Sequence, residues 1–252
     1  MNTREAVEKF HLVFLKHFAP VAGAGTICLK GGVNLRLYHN SPRLSEDIDF
    51  DARKVGVEIL KKNVNKVLSG RPLLLELAAS GMEVIEVKAA KQTATVQRWK
   101  VQLVHQAVPV ATRLEFSRRV DEEFESCRVE PPSPLILAEH RVVPFVFNHY
   151  TAGAAYLQKV HALALRTQVQ ARDVFDLDHL SALGQSGAEV SPQIAARARD
   201  QLALITYEMF REQVVPFLPA DLAEYHGTPA AWKALVVRVG NALERIAQPA
   251  KK

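Results

Sequence analysis

The sequence predicts an α/β fold in which a mixed-sheet lobe, residues 1–130, is followed by a helical lobe, residues 131–252. Short runs that alternate apolar and polar residues concentrate in the first part, whereas apolar residues recur at helical spacing in the second. The run Pro131-Pro132-Ser133-Pro134 lies between them, and a proline cluster disfavours both helix and strand. With 252 residues, 48% of them hydrophobic, the chain can bury a sizeable core.

The first lobe opens with helical spacing of apolar residues over residues 3–18. Residues 26–29 are an apolar run that ends at Gly31-Gly32, which predicts a strand closing in a turn. Residues 33–38 then predict a helix, and residues 47–51, where acidic and apolar side chains alternate, predict a strand. The pattern further predicts a helix at residues 55–68 and strands at residues 73–77, 82–89, 95–105 and 110–117.

The second lobe is rich in Ala, Leu, Arg and Gln at helical spacing. Helices are predicted over residues 136–140, 155–169, 174–182, 192–210 and 230–247. The two tryptophans, Trp99 and Trp232, are predicted to be core residues, one in each lobe.

The two cysteines, Cys28 and Cys127, show no CxxC or Cys/His spacing. We therefore expect neither a disulfide framework nor a zinc site, and a reducing cytoplasmic environment. No run approaches the roughly 20 apolar residues that span a bilayer, so no membrane association is expected.

The formal net charge is +5, and the basic excess lies in residues 1–130, which hold 20 basic against 16 acidic residues. A basic protein suits a polyanionic partner such as RNA, because neutralised phosphates release their counterions. Many soluble proteins are equally basic without binding nucleic acid, so charge alone leaves both interpretations open.

A glycine turn followed by paired aspartates is the strongest chemical signal. Gly31-Gly32 lets backbone N–H groups approach a phosphate closely. Asp47 and Asp49 share one face of the predicted strand, and their mutual repulsion is relieved by a cation. Ser45, just before them, adds a hydroxyl for phosphate. The alternative for Asp-x-Asp alone is a solvated edge strand.

A later acid would complete the metal site. Arg113-Leu114-Glu115-Phe116 predicts a strand with one acid between apolar neighbours. Three carboxylates, Asp47, Asp49 and Glu115, would hold two Mg²⁺ ions that position an α-phosphate and activate an attacking hydroxyl. Phosphoryl or nucleotidyl transfer is the function that this pattern predicts.

The residues Lys30-Gly31-Gly32-Val33-Asn34-Leu35-Arg36 and Arg43-Leu44-Ser45-Glu46-Asp47-Ile48-Asp49-Phe50 resemble the AbiEii/AbiGii-type toxin family, which has the nucleotidyltransferase fold of the polymerase β superfamily. Lys159-Val160-His161-Ala162-Leu163-Ala164-Leu165-Arg166 and Arg172-Asp173-Val174-Phe175-Asp176-Leu177 resemble the later motifs of that family. Within the superfamily the turn is commonly glycine-serine, and Glu115 stands where aspartate is more frequent.

The resemblance implies a nucleotidyltransferase lobe and a helical lobe that completes its cleft. It implies a toxin of a bacterial toxin–antitoxin or phage-defence system, with a nucleoside triphosphate substrate, Mg²⁺, an RNA acceptor such as the tRNA 3′ end, and a cognate antitoxin. The resemblance implies catalytic roles for Asp47, Asp49, Lys159 and Asp173, and metal binding by Asp47 and Asp49 together with Glu115. It implies nucleotide binding by Lys30, Gly31, Gly32, Arg36, Arg43, Ser45, Arg166 and Asp176.

Helical spacing gives the later motifs a physical interpretation. At about 100° per residue, Lys159, Arg166 and Asp173 fall within roughly 40° of one another on a continuous helix. They would form one polar stripe in which Asp173 or Asp176 orients the lysine. A helix break within residues 168–171 would remove this argument. Arg172 and Asp176, four residues apart, are alternatively a pair that only stabilises a helix.

Two other functions remain open from the sequence. One is nucleotide transfer to a protein hydroxyl, and the other is a nucleotide-binding module without turnover.

Overall fold

A seven-stranded mixed sheet organises the first part of the computed structural model, which describes residues 1–23, 25–118 and 126–248. The chain divides into two units. The first comprises Met1–Asn40 and Leu44–Tyr150, and the second comprises Ser41–Arg43 and Thr151–Lys252. The fold is α/β, as the sequence predicts.

The strands of the first unit are β1 Ile27–Lys30, β2 Asp47–Ala52, β3 Met82–Gln92, β4 Val96–His105, β5 Val108–Ser117, β6 Cys127–Glu130 and β7 Phe147–Tyr150. Their order in the sheet is β3-β4-β5-β2-β1-β7-β6. Neighbouring strands are antiparallel except β2 with β5 and β1 with β7, which are parallel.

The helices of the first unit are α1 Thr3–Phe18, α2 Gly31–Tyr38, α3 Val57–Leu68, α4 Arg71–Ala78 and α5 Pro134–Glu139. Helix α1 begins at a capping box, in which the Asn2 side chain and Glu5 satisfy each other's backbone N–H groups. Its aromatic side chains belong to the core that covers one face of the sheet, where the rings of Phe50 and Phe116 stack 4.5 Å apart.

The two faces of the sheet differ in chemistry because successive side chains of a strand point to opposite sides. Ile48 and Phe50 of β2 and Trp99 of β4 are completely buried on the core face. Asp47 and Asp49 therefore point to the other side, which we call the charged face.

The second unit is helical throughout its described part after Thr151. Its helices are α6 Ala152–Leu165, α7 Ala171–Ala182, α8 Pro192–Leu202, α9 Tyr207–Gln213, α10 Ala220–His226 and α11 Pro229–Ala247. Trp232 is nearly buried and stacks on Phe210, at 4.8 Å between ring centroids. No helix in the described ranges is long and apolar enough to cross a membrane.

Three sequence-based assignments of secondary structure are wrong. Residues 73–77 lie in helix α4, not in a strand, because Leu73 and Leu77 stand four residues apart on its buried side. The predicted helix over 155–169 ends at Leu165, and the helix predicted over 192–210 is divided into α8 and α9.

The structure also moves the boundary between the two units. Residues 131–150, which we expected in the helical lobe, belong to the first unit. After the prolines the chain returns to the sheet, where β7 pairs with β1 through Leu29 and His149. Conversely, the short segment Ser41–Arg43 belongs to the second unit.

A disulfide bond joins Cys28 of β1 to Cys127 of β6, which corrects the expectation that the cysteines are unpaired. The two residues are 99 positions apart in sequence. They approach because β7 pairs with both β1 and β6, an arrangement that cysteine spacing does not reveal.

Candidate active site

The glycine turn and the aspartates come together on the charged face. Gly31 has φ of +70°, and a Cβ added there would lie 3.0 Å from Oδ2 of Asp49. Both the backbone conformation and the close approach therefore require glycine. Gly32 follows as the second residue of α2. The Asp49 carboxylate thus lies against the turn that begins helix α2, as the sequence pattern predicts.

The start of helix α2 suits a phosphate. The first N–H groups of a helix lack partners within it and attract anions. Lys30 precedes the helix, and its side chain makes no capping hydrogen bond. Its ammonium group instead pairs with Asp51, which also accepts a 2.9 Å hydrogen bond from the Tyr150 hydroxyl. The nucleotide-binding role of Lys30 stays a prediction.

Two rows of charged residues cross the sheet around the aspartates. In the first row, strand pairing places Lys30 beside Asp49, Asp49 beside Glu115, and Glu115 beside Arg98. Adjacent members are about 5 Å apart in the hydrogen-bonding direction.

The second row begins at Asp47. Its neighbour on β5 is Arg113, which is followed by Lys100 on β4 and Lys88 on β3. An ion pair joins Arg113 to Asp47, whose side chain is 23% exposed. This carboxylate is therefore already compensated while remaining within reach of solvent.

The three acids predicted to bind Mg²⁺ lie on the charged face, and an arginine pairs with two of them. Arg98 holds Glu115 with contacts of 2.6 and 2.8 Å, so this carboxylate is directed to the guanidinium. Within the described ranges, no three His, Cys, Asp or Glu side chains are arranged to hold a metal ion. Magnesium is commonly bound by one or two carboxylates with substrate phosphates and water. Asp47 and Asp49 satisfy that requirement, and metal binding by Glu115 stays a prediction.

Ser45 supports the strand that carries the aspartates. Its hydroxyl donates a 3.0 Å hydrogen bond to the main-chain carbonyl of Asp47. This contact fixes the entry into β2. Phosphate binding by Ser45 stays a prediction.

Arg36 is held in an ion pair within the first unit. Its guanidinium donates to both carboxylate oxygens of Glu8, at 2.6 and 3.2 Å, and His140 lies 2.8 Å from the same carboxylate. Burial raises the pKa of Glu8, but these two partners outweigh burial and hold that pKa below its usual value. Arg36 therefore anchors α2 to α1, and its role in nucleotide binding stays a prediction.

A buried cluster of ions occupies the second unit. The Lys159 ammonium lies 2.8 Å from Asp173 and 2.6 Å from Asp176, and both carboxylates are fully buried. Arg43 donates to both oxygens of Asp176, at 3.0 and 2.9 Å. Arg166 lies 3.2 Å from Asp173. We call these five residues the buried ion cluster.

The cluster corrects the helical-stripe argument while keeping its members together. Helix α6 ends at Leu165 and α7 begins at Ala171, so the angles of a continuous helix do not apply. The packing of α6 against α7 brings Lys159 to Asp173 instead. Asp176 turns to Lys159 and Arg43, which replaces the alternative of an ion pair with Arg172.

Arg43 is 4% exposed in its side chain and pairs with Asp176, and its role as a phosphate ligand stays a prediction. Burial opposes ionisation of Asp176, but Arg43 and Lys159 lower its pKa far below the usual range. Arg166 keeps 39% of its side chain exposed. The catalytic roles of Lys159 and Asp173, and the nucleotide contacts of Arg166 and Asp176, stay predictions.

Sequence reasoning missed the basic partners of the acids. Arg98 and Arg113 each pair with a carboxylate of the charged face. The alternation Gln97-Arg98-Trp99-Lys100 contains the signal, because burial of Gln97 and Trp99 places the two basic residues on the opposite face. Tyr150, by contrast, reaches Asp51 from 99 positions away, which no local pattern indicates.

Comparison with known families identifies the chain. The family model described as "Nucleotidyl transferase AbiEii toxin, Type IV TA system" matches residues 13–245. The chain belongs to this family. The matched span includes the glycine turn, the paired aspartates and the buried ion cluster. This AbiEii-family protein is therefore a nucleotidyltransferase toxin of a type IV toxin–antitoxin system, and the resemblance to a nucleotidyltransferase toxin family is confirmed.

Solved structures agree with the AbiEii fold. JHP933 from Helicobacter pylori is 19% identical, with 98% of this chain and 93% of that chain covered and a TM-score of 0.58. MenT4, the nucleotidyltransferase toxin Rv2826c from Mycobacterium tuberculosis H37Rv, is 16% identical, with 97% and 92% covered and a TM-score of 0.58. No curated protein sequence matches the chain.

Proposed function

We propose that this AbiEii toxin transfers a nucleotide from a nucleoside triphosphate to an RNA 3′ hydroxyl, at the tRNA acceptor end, in a Mg²⁺-dependent reaction. The observation that carries the proposal is the contact between the Gly31 turn and Asp49, with Asp47 on the same strand face. It combines a phosphate-binding helix start with oxygen ligands for a hard cation.

Different residues of the first unit have different roles in the proposed reaction. The N-terminus of α2 binds the phosphates through its backbone N–H groups. Asp47 and Asp49 would hold Mg²⁺, which, when bound, polarises the phosphate and favours deprotonation of the attacking hydroxyl. The hydroxyl oxygen forms a bond to the α-phosphorus, its proton leaves, and the bond to pyrophosphate breaks. Lys30 and Tyr150 keep Asp51 compensated beside this centre.

The choice of RNA rests on charge and on the family. The net charge is +5, with the basic excess in residues 1–130, and a basic surface favours a polyanionic acceptor. The similar MenT4 is a nucleotidyltransferase toxin, which is compatible with either acceptor. Transfer to a protein hydroxyl is the second candidate, because the same centre would activate a serine or tyrosine hydroxyl.

The acceptor is tested by incubating purified protein with each α-labelled nucleoside triphosphate and either total tRNA or a bacterial protein extract. We expect label in tRNA that appears with Mg²⁺ and is abolished by EDTA. Label confined to protein would select the second candidate. Nucleotide affinity without any labelled product would identify a binding module instead.

We also propose that a cognate antitoxin restrains the toxin in the bacterial cytoplasm, where tRNA and nucleoside triphosphates are present. The type IV toxin–antitoxin family supports this proposal. Expression of the toxin alone should arrest growth, and co-expression of a small adjacent reading frame should relieve the arrest. Growth that is unaffected by the toxin would argue against toxicity in that host.

A further inference from the structure

The charged face extends beyond the aspartates into a basic strip on the β3–β4 hairpin. Strand pairing continues the second row from Arg113 to Lys100 and Lys88. It continues the first row from Arg98 to Lys91. We call Lys88, Lys91 and Lys100 the lysine strip.

The lysine strip carries uncompensated charge. All three side chains are exposed, and none makes an ion pair with any residue that the structure describes. Their basic neighbours differ, because Arg98 is neutralised by Glu115 and Arg113 by Asp47. Along these two rows, the basic residues next to the acids are therefore neutralised, whereas the lysines farther from β2 make no ion pair.

We propose that the lysine strip binds the phosphates of the single-stranded RNA segment that adjoins the reacting 3′ end. This inference rests on the proposed function, because it takes the acceptor to be RNA. Lys88 lies three strands from Asp47 in the sheet order, or about 14 Å at the usual strand spacing. Nucleotides just upstream of the 3′ end span that distance while the end lies at Asp47 and Asp49.

The composition of the two rows favours RNA over a protein partner. Protein interfaces have apolar or aromatic residues at their centre. The rows from Lys88 to Asp47 and from Lys91 to Lys30 contain charged side chains alone. Exposed lysines at a regular strand spacing instead match the repeated charge of a phosphate backbone, which supplies most sequence-independent affinity.

The lysine strip is tested with the double variant Lys88→Gln/Lys100→Gln. Its matched control is Lys62→Gln/Lys66→Gln, which removes the same charge from exposed positions of α3. That helix packs on the core face, where Asn65 accepts a 2.8 Å hydrogen bond from Trp99. Both variants retain the acids and the glycine turn, and urea unfolding would show that both remain folded.

Binding of fluorescently labelled total tRNA is measured by anisotropy at increasing KCl. For single strands, each lost phosphate contact reduces the slope of log affinity against log salt by about 0.7. We expect the strip variant to lose about 1.4 from this slope. In the transfer assay we expect its KM for tRNA to rise about tenfold, with an unchanged KM for the nucleotide. The control should match wild type in both assays.

The outcomes separate this inference from the proposed function. If wild type labels tRNA and the strip variant behaves as the control does, the lysine strip is not the RNA surface. If wild type neither binds nor labels tRNA, the proposed acceptor is wrong, and the inference falls with it. If the strip variant loses antitoxin binding and keeps tRNA binding, the strip is a protein interface and the inference is overturned.

Discussion

The charged face of the first unit and the buried ion cluster of the second use the same residue types in opposite environments. Asp47 pairs with one arginine and keeps 23% of its side chain exposed, whereas Asp176 is completely buried between Lys159 and Arg43. The difference lies in whether a partner can be exchanged. A carboxylate open to solvent can accept a cation or release its arginine, because water compensates the separated charges.

The buried cluster has no such freedom. Removing one member of a buried ion pair leaves the others in a medium that solvates them poorly, which is costly. The comparison therefore supports the proposal that metal and phosphate chemistry belongs to the charged face. For Arg43 and Asp176 it supports a role in stabilising the helical unit. Four substitutions or treatments test this division, and they are ordered here by the size of the expected effect.

The largest loss of stability is expected for Asp176→Asn. The amide keeps the shape but removes the negative charge between Arg43 and Lys159, so we expect the free energy of unfolding to fall by about 3–5 kcal/mol. Urea unfolding followed by circular dichroism measures this change.

The control is Asp178→Asn on the same helix α7. Asp178 pairs with Arg238, whose side chain is 52% exposed, and an exposed pair contributes about 0–1 kcal/mol. Equal costs for the two variants would show that burial does not distinguish the cluster.

Reduction of the disulfide bond should give the next largest loss of stability. The bond joins Cys28, within the strand β1 that leads into the glycine turn, to a residue 99 positions later in the sequence. Closing a long loop restricts the unfolded chain, and typical losses are about 2–4 kcal/mol. Urea unfolding with and without dithiothreitol measures the loss. The variant Cys28→Ser/Cys127→Ser should be insensitive to the reductant, and an insensitive wild type would show that the cysteines are not bonded.

Lowering the pH should first destabilise the protein through a buried histidine, His11. Nε2 of His11 lies 2.8 Å from the Thr112 hydroxyl, which itself donates to the Glu46 carbonyl, so this nitrogen is the donor. Burial lowers the pKa of His11 to about 3. Below pH 6.5 the unfolded chain therefore takes up a proton that the folded chain does not. The free energy of unfolding contributed by this group falls by about 1.4 kcal/mol per pH unit down to pH 3.

The variant His11→Gln keeps a donor and cannot titrate. Between pH 6 and pH 5 the free energy of unfolding should fall less steeply for this variant than for wild type. The difference between the two slopes should be about 1.4 kcal/mol per pH unit. The lowered pKa of Asp176 acts in the same direction but at lower pH: its stabilisation is complete above the unfolded value near 4 and is lost in stronger acid. Parallel pH profiles for wild type and His11→Gln would contradict a neutral buried His11.

The smallest change in stability is expected for Asp47→Asn. Its ion pair with Arg113 is partly exposed on both sides, so the free energy of unfolding should change by less than about 1 kcal/mol. Glu46→Gln, an exposed neighbour with the same charge change, is the control. A loss as large as that of Asp176→Asn would mean that the charged face also maintains the fold.

The sequence predicts the charged face well because its signals are local. Alternation over residues 47–51 predicts that Asp47 and Asp49 share a face, and Gly31-Gly32 predicts the turn that Asp49 contacts. The buried ion cluster depends on long-range packing, since Arg43 and Asp176 are 133 positions apart. Local patterns also cannot show which acid faces an arginine, and so the pairing of Glu115 with Arg98 is visible only in the structure.

The central claim is that the charged face performs nucleotide transfer, and Asp49→Asn tests it most directly. Wild type, Asp49→Asn and Glu46→Gln are compared for Mg²⁺-dependent transfer of labelled nucleotide to tRNA, after unfolding curves confirm that all three are folded. We predict that Asp49→Asn falls to the level without enzyme while Glu46→Gln retains wild-type activity. Metal-dependent labelling that survives in Asp49→Asn would contradict the account.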